Sequence, residues 1–396
     1  MSVTYPRGFR AAAVTAGFKS SCRPDLGLLV GDPGTTAAGL FTTNRVQAAP
    51  VRLSRERLGA GRARAVLVNS GQANAATGAR GDADAVASTA AAAEHLALAA
   101  DEVLPCSTGV IGEPLHLPQL RSALPGLVGS LTEGGGDAFA EAIMTTDTVP
   151  KVATADAGAC RVGGCAKGSG MISPRLATML AFVTTDAAVS AGDLHRLAEA
   201  CLAPSFNALT IDACPSTNDT VLLFASGASG SDPIVPGSAA WDGLALAVAA
   251  VGETLAHKLV QDAEGGTRVL VVDVEGAADD VAARTVARAV ADSPLVKTAL
   301  FGGDPNPGRI LQAVGASGVA LDADHLDVSI GTRRVVEAGS IPGAYFDSNL
   351  RELAAIEMKE PVVRFEVRVG DGPGRARVLG CDLSYEYVRI NGEYTT

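Results

Sequence analysis

The stretch from Lys167 to Leu180 places the tightest constraint on this chain. It reads Lys167-Gly168-Ser169-Gly170-Met171-Ile172-Ser173-Pro174-Arg175-Leu176-Ala177-Thr178-Met179-Leu180, and the apolar run Ala181-Phe182-Val183 follows at once. A Gly-rich turn carrying a lone lysine delivers the chain through Pro174 into a segment with the character of a strand. A threonine ahead of an apolar run is ordinarily a helix N-cap or a strand residue. The functional alternative is that Thr178 attacks the carbonyl of Ala177 and cuts its own chain. Its hydroxyl would then be the nucleophile. Its new α-amino group, which titrates near ~8, would be the base that a threonine hydroxyl needs. The local residues admit both readings.

A chain of 396 residues exceeds one average domain and points to two lobes. Lysine and arginine number 32 against 43 aspartates and glutamates, a net charge of −11. That balance, without a basic stripe, argues against a nucleic-acid partner and favours a soluble enzyme of small molecules. Charges or glycines break the apolar runs before the roughly 18 residues of a membrane span, so no transmembrane helix is expected. Met1–Arg7 has no apolar core of a secretory signal, which places the chain in the cytoplasm. The seven cysteines form no Cys-x-x-Cys pair and read as reduced, mostly buried thiols. The five histidines are scattered away from cysteines and carboxylates, so no metal site is expected.

Residues 8–55 mix short apolar runs with Gly and Pro and suit a sheet with turns. Ala65–Val68 reads as a buried strand, residues 83–99 as a helix, and Val103-Leu104 as a short strand entering a turn at Cys106–Gly112. A helix ends near Met144. Strands are expected at Ala181–Thr185, Thr220–Ala225 and Arg268–Glu275, and near 326–337 and 362–380. Helices are expected at 191–203, capped by Ser190, at 238–259 and at Ala277–Ala291. Alternating helix and strand signals give an α/β chain with helices covering sheets.

The candidate chemical groups each have an ordinary reading. Thr108-Gly109 would be part of a turn, and Glu264 a surface-loop acid. Lys167 would be a solvated lysine. It does not belong to a phosphate-binding loop, because Gly163-Gly164-Cys165-Ala166-Lys167-Gly168 has neither that loop's spacing nor its hydroxyl. Asn391 and Thr396 would lie in a frayed terminus.

Several further motifs lie along the chain in order: Pro6-Arg7-Gly8-Phe9-Arg10, Phe41-Thr42-Thr43-Asn44-Arg45-Val46, Val68-Asn69-Ser70-Gly71, Ser107-Thr108-Gly109-Val110-Ile111-Gly112 and Ala142-Ile143-Met144-Thr145-Thr146-Asp147-Thr148. After the Lys167 turn come Ser216-Thr217-Asn218-Asp219-Thr220, Ser293-Pro294-Leu295-Val296-Lys297-Thr298-Ala299, Gly303-Asp304-Pro305-Asn306 and the closing Glu393-Tyr394-Thr395-Thr396. Together with K-G-S-G-M-I-x-P-x-x-A-T-M-L they resemble the ornithine acetyltransferase family over nearly the whole chain.

The resemblance implies a layered sandwich of helices around sheets, as in N-terminal-nucleophile acyltransferases, with a smaller C-terminal α/β lobe from about residue 280. It implies self-cleavage between Ala177 and Thr178 into chains 1–177 and 178–396, assembled as a heterotetramer of two copies of each. Thr178 would be the nucleophile. The Thr108 hydroxyl and Gly109 N–H would form the oxyanion hole. Lys167 would hold the substrate carboxylate with Thr145 nearby, Glu264 would meet the cationic tail of ornithine, and Asn391, Thr396 and Thr178 itself would touch substrate. The implied reaction is N2-acetyl-L-ornithine plus L-glutamate giving L-ornithine plus N-acetyl-L-glutamate, in arginine biosynthesis. It needs no metal or organic cofactor, and some members also use acetyl-CoA as a co-substrate.

The chain departs from the family pattern in two places. D-G-D-T-S-T-N-D-T has become Asp212-Ala213-Cys214-Pro215-Ser216-Thr217-Asn218-Asp219-Thr220, and the Trp of G-D-P-N-W-G-R is Pro307. These changes bear on loop shape or acyl-group choice. The rival expectations are a paralogous acyltransferase or an amidase of the same fold in a specialised pathway, and an uncleaved protein without activity.

Overall fold

The computed structural model describes residues 2–59, 63–173, 179–347 and 349–393. They fall into two compact units, one holding Met1–Asn207 and Cys214–Leu259, the other Ala208–Ala213 and Val260–Tyr394.

The first unit is built on strands β1 (Phe9–Val14), β2 (Leu26–Gly31), β3 (Thr36–Phe41), β4 (Ala65–Gln72), β5 (Val103–Val110), β6 (Lys151–Ala157), β7 (Cys160–Lys167), β8 (Leu180–Thr185) and β9 (Thr220–Ala225). One sheet runs β1-β2-β4-β5 and another β3-β9-β8-β7-β6. The helices are α1 (Ala49–Gly59), α2 (Gly78–Leu96), α3 (Leu117–Gly129), α4 (Gly136–Ala142), α5 (Ala191–Leu197), α6 (Ala203–Phe206) and α7 (Ala239–Gln261).

Side-chain alternation along the strands produces the layers. Leu29, Val66, Val68, Leu104 and Cys106 face Leu180, Phe182, Leu222 and Phe224 across the sheet-to-sheet core. Leu28, Val30, Ala65 and Leu67, one residue out of phase, pack under Ala92 and Ala93 of α2 and Leu120 and Leu124 of α3. Phe139 of α4 inserts edge-on to Phe182, with ring centroids 5.2 Å apart. On the far side of the second sheet lies α7. The expected layered sandwich of helices around sheets is therefore the architecture of this unit.

Helix α7 bears on the expectation that no helix crosses a membrane. Over 23 residues it carries a window of mean hydropathy 1.4, enough by length and composition to cross a membrane. Its buried residues Leu244, Ala247, Val248, Val251, Leu255, Ala256 and Leu259 follow the 3.6-residue period of a core-facing stripe. Val251 and Leu255 lie against β7, 3.0 and 3.1 Å from where a Cβ on Gly164 would stand. A side chain here would have to push both aside by a few tenths of an ångström, and a Cβ on Gly163 would stand 2.1 Å from the Ser2 carbonyl oxygen. The glycine pair also explains why the β6–β7 hairpin is invisible to strand propensity, since Gly163-Gly164 weakens that signal.

Ser190 caps α5 as expected, its Oγ accepting from Asp193 N–H at 3.2 Å. The helix expected at 191–203 continues to Phe206 but widens into a π turn at Ala198–Leu202. Pro204, which has no N–H and crowds the preceding turn, accounts for the wide turn.

The second unit holds β10 (Val269–Ala277), α8 (Asp280–Asp292), α9 (Pro294–Gly302), α10 (Pro307–Gly315), β11 (Asp327–Ile330), β12 (Arg333–Val336), α11 (Ala344–Asp347), α12 (Leu350–Glu357), β13 (Val362–Arg368), β14 (Gly374–Cys381) and α13 (Tyr385–Glu393). Its mixed sheet runs β12-β11-β13-β10-β14, with β10 parallel to β13 and antiparallel to β14. Ala283, Val286, Ala287 and Val290 of α8 share a core with Leu270, Val272, Phe365 and Val378 of the sheet. Pro307 fits here because it is the first residue of α10, where a missing N–H is harmless, and Asn306 caps that helix through Arg309 N–H at 3.1 Å. Ala213, in place of the family's glycine, keeps the left-handed backbone with φ 59°. That conformation costs an L-residue about 1–2 kcal/mol.

Candidate active site

Thr108 and Gly109 do not lie in a turn. They continue strand β5, paired in parallel register with Ser70 and Gly71 of β4. The strand signal fails there because each strand carries a glycine with positive φ as its penultimate residue, Gly71 at φ 134° and Gly109 at φ 128°. A Cβ on Gly109 would stand 2.3 Å from the Gly71 carbonyl, so no other residue fits without displacing β4.

Lys167 is the last residue of β7, in register with Leu180 of β8. It is not solvated; only 2% of it is exposed. Its Nζ donates to Thr145 Oγ1 at 2.7 Å and to Thr108 Oγ1 at 3.3 Å. A hydroxyl that accepts from an ammonium keeps its own proton to donate. The lysine therefore orients Thr108 as a donor and brings three of the expected site residues together in the first unit, with Gly109 adjoining Thr108. Ala177, Thr178 and Thr396 lie outside the described residues.

Asp147 organises this cluster, a role that nothing local to the Ala142–Thr148 motif signals. Its Oδ1 accepts from Lys151 Nζ and from Gly168 N–H, each at 2.6 Å, and its Oδ2 accepts from Thr145 N–H at 3.0 Å. Lys167 Nζ stands 3.9 Å from Oδ2. Burial opposes the charge on this carboxyl, but Lys167, Lys151 and the Gly168 N–H outweigh it and hold its pKa at about 2. A third lysine adds to the field. Lys19 sits in a loop whose N–H groups at Ala16, Gly17, Phe18 and Lys19 all bond the buried Asp25 carboxylate. Burial, reinforced by the Lys167 charge and opposed by Asp25, lowers the Lys19 ammonium to about 8. Three ammonium groups near two carboxylates make the region suited to an anion.

Motifs far apart in sequence meet beside it. Asn218 donates from Nδ2 to the carbonyls of Ala73 at 2.6 Å and Ser107 at 2.8 Å. Ser107 Oγ donates to Asn69 Oδ1 at 2.6 Å. Asp219, fully buried, accepts the Met179 N–H on Oδ1 at 3.0 Å. Burial pushes its carboxyl well above the usual carboxylate range, against the pull of Met179 N–H, Thr42 and Lys167. Thr42 Oγ1 donates to the Ser216 carbonyl at 2.8 Å.

The remaining expected residues lie in the second unit. Glu264 stands in the turn after α7, and Asn391 on α13 donates from Nδ2 to Glu264 Oε2 at 2.9 Å. The C-terminal segment is thus helical through Glu393 and not frayed at Asn391. Among the described residues, no group of three or more His, Cys, Asp or Glu side chains is placed to hold a metal ion.

The model of the ArgJ family matches residues 10–396. The chain belongs to the ArgJ family. It is 46% identical, over all of its length and 98% of the relative's, to the arginine biosynthesis bifunctional protein ArgJ of Thermosynechococcus vestitus. Identity to the protein of the same name from Geobacter sulfurreducens is 45%, over 98% of this chain and 99% of that one. Among solved structures, the ArgJ of Bacillus halodurans superposes with a TM-score of 0.51 at 36% identity, covering 54% of this chain and 98% of that one. The ornithine acetyltransferase of Mycobacterium tuberculosis, solved with ornithine, gives a TM-score of 0.41 at 44% identity, covering 44% of this chain and 94% of its own.

Proposed function

We propose that this chain is an acyltransferase that cuts itself between Ala177 and Thr178 and then moves the acetyl group of N2-acetyl-L-ornithine to L-glutamate. The observation that carries the reading is the buried Lys167. It bonds both Thr108 and Thr145 and pairs in register with Leu180, two residues after Thr178.

In the transfer, the α-amine of Thr178 takes the hydroxyl proton as the oxygen attacks the acetyl carbonyl. The resulting oxyanion is met by the Thr108 hydroxyl and the Gly109 N–H. Comparable donors are worth about 2.7–4 kcal/mol each. The α-ammonium then returns its proton to the departing ornithine amine, leaving an acetyl ester on Thr178. Glutamate attacks that ester through its α-amine, and the same groups act in reverse. The acyl group rides on threonine, so neither a metal nor an organic cofactor takes part, and acetyl-CoA is an alternative donor. Lys167, with Thr145, takes the α-carboxylate that both amino acids share. Glu264 takes the cationic tail of ornithine, and Asn391 and Thr396 complete the contacts. The working form is a heterotetramer of two chains 1–177 and two chains 178–396, in the cytoplasm, serving arginine synthesis.

The test is a denaturing gel with N-terminal sequencing of the smaller species, followed by transfer assays. Two fragments are expected, the second starting at Thr178, and Thr178→Ala should remain one inactive chain. A second fragment with any other first residue sinks the proposal. Acetyl release to water in place of glutamate would make the protein an amidase.

A further inference from the structure

Strand β9 starts at Thr220, and its N–H donates to the Met179 carbonyl at 3.1 Å as the last ordinary rung between β8 and β9. One residue earlier, the Met179 N–H takes a side-chain acceptor. The Asp219 side chain supplies it, through Oδ1 at 3.0 Å. Met179 is therefore held by both of its main-chain groups, one residue from Thr178. Asp219 is itself fixed, because its carbonyl accepts from Thr42 N–H at 3.0 Å. The neighbouring Asn218 bonds the carbonyl of Ser107, one residue from Thr108. The Asn218-Asp219 dipeptide thus grips the peptide beside the nucleophile with one side chain and the peptide beside the oxyanion hydroxyl with the other. Asp219 Oδ2 is buried and has no hydrogen-bond partner among the described residues. Such a group is retained in a fold only where something offsets its burial.

We propose that Asp219 is a positioning residue for the reaction: by accepting the Met179 N–H it holds Met179, next in sequence to Thr178, against strand β9. The proposal rests on the reading of Thr178 as nucleophile. Before cleavage, Asp219 holds the downstream side of the Ala177–Thr178 bond. After cleavage the chain start is no longer tethered at Ala177, and the same hydrogen bond keeps the new terminus from fraying. A displacement of about 1 Å at a reacting atom can lower a rate about 10²-fold, so an acceptor at this point acts on chemistry more than on substrate affinity.

The experiment compares Asp219→Asn, which keeps an Oδ1 acceptor in the same place, with Asp219→Leu, which fills the space without one. For Asp219→Leu we expect slow self-cleavage and a kcat lower by about 10²-fold, with KM for N-acetylornithine within about threefold of wild type. Asp219→Asn should restore kcat to within about fivefold of wild type. A residue needed only for stability would lower the melting temperature in both variants without this split. Should Asp219→Leu not fold, hydrogen exchange on the wild-type enzyme decides: the Met179 amide should exchange at least about 10³-fold more slowly than an open amide. Wild-type kcat in Asp219→Leu, equal losses in both variants, or an unprotected Met179 amide would each overturn the proposal. Sequencing of the wild-type second fragment separates the two ideas. A start other than Thr178 removes the nucleophile reading and this proposal with it. A start at Thr178 with a fully active Asp219→Leu removes this proposal alone.

Discussion

Two three-charge clusters in this molecule, one anion between two cations and one cation between two anions, have opposite surroundings. In the first unit Asp147 bonds Lys151 and faces Lys167, with all three side chains at most 3% exposed. In the second unit Arg389 of α13 bridges Glu386 at 2.5 Å and Glu393 at 3.1 Å, with about half or more of each side chain in solvent. The exposed cluster consists of residues three and four apart on one helix, where water screens each pair and holding long side chains in place consumes most of the gain. The buried cluster gathers residues from β6, β7 and the loop before β6. Its cations cannot turn to water: Lys151 leans on Asp147 and the Val149 carbonyl, and Lys167 on Asp147 and the hydroxyls of Thr145 and Thr108. The contrast separates charges that hold a geometry from charges that keep a surface soluble.

The largest effect should follow from Asp147→Ala. Removing the buried carboxylate that bonds Lys151 and faces Lys167 leaves buried positive charge short of its counter-charge, and about 3–5 kcal/mol of stability should be lost, read as a fall in the denaturation midpoint. The pH dependence has a definite sign. The folded pKa of Asp147, about 2, lies below the unfolded value of about 3.9. Its contribution is therefore complete above about pH 4 and disappears as pH falls toward about 2. A wild-type stability that stays flat through that window would show that the cluster is not what Asp147 holds together.

Next in size is Thr108→Ala. It removes one oxyanion donor and should lower kcat about 10²–10³-fold while ornithine-type ligands still bind. An unchanged kcat would mean that Lys167 orients Thr108 for something other than catalysis.

A smaller and directional effect should separate the two units. Lys167→Met should impair both half-reactions, because both amino acids bring an α-carboxylate. Glu264→Gln should weaken use of N-acetylornithine and leave glutamate much less affected. Truncating one member of a buried charge pair costs about 2–5 kcal/mol, and Glu264, being partly exposed, belongs at the low end. Measuring kcat/KM for donor and acceptor in each variant checks this; equal losses in Glu264→Gln would reverse the assignment of the substrate's ends. The smallest effect belongs to Arg389→Ala, which should leave the unfolding midpoint and the transfer rate where they are. A clear drop in either would mean that the exposed cluster has a partner that water does not screen.

Sequence alone was enough wherever the signal is local. The strands expected at Ala181–Thr185 and Thr220–Ala225, the Ser190 cap and the long helix at 238–259 depend on neighbours one to four residues away, and those neighbours are printed in order along the chain. The family was also readable, because motifs spread along the chain occur in one order and at matching spacing. The β6–β7 hairpin was not readable, since Gly163 and Gly164 carry no strand preference and are required only by the main chain and helix packed against them. Thr108 and Gly109 read as a turn because a glycine near the end of each strand, Gly71 and Gly109, forms a pair that only the β4–β5 register explains. Lys167 read as a solvated lysine because nothing within ten residues of it is a carboxylate. Its counter-charge, Asp147, lies twenty residues upstream, and its hydroxyl partners come from two other segments. Burial and ionisation belong to groups that meet in space, and the polarity of a site is fixed only when the sheets that carry those groups have formed.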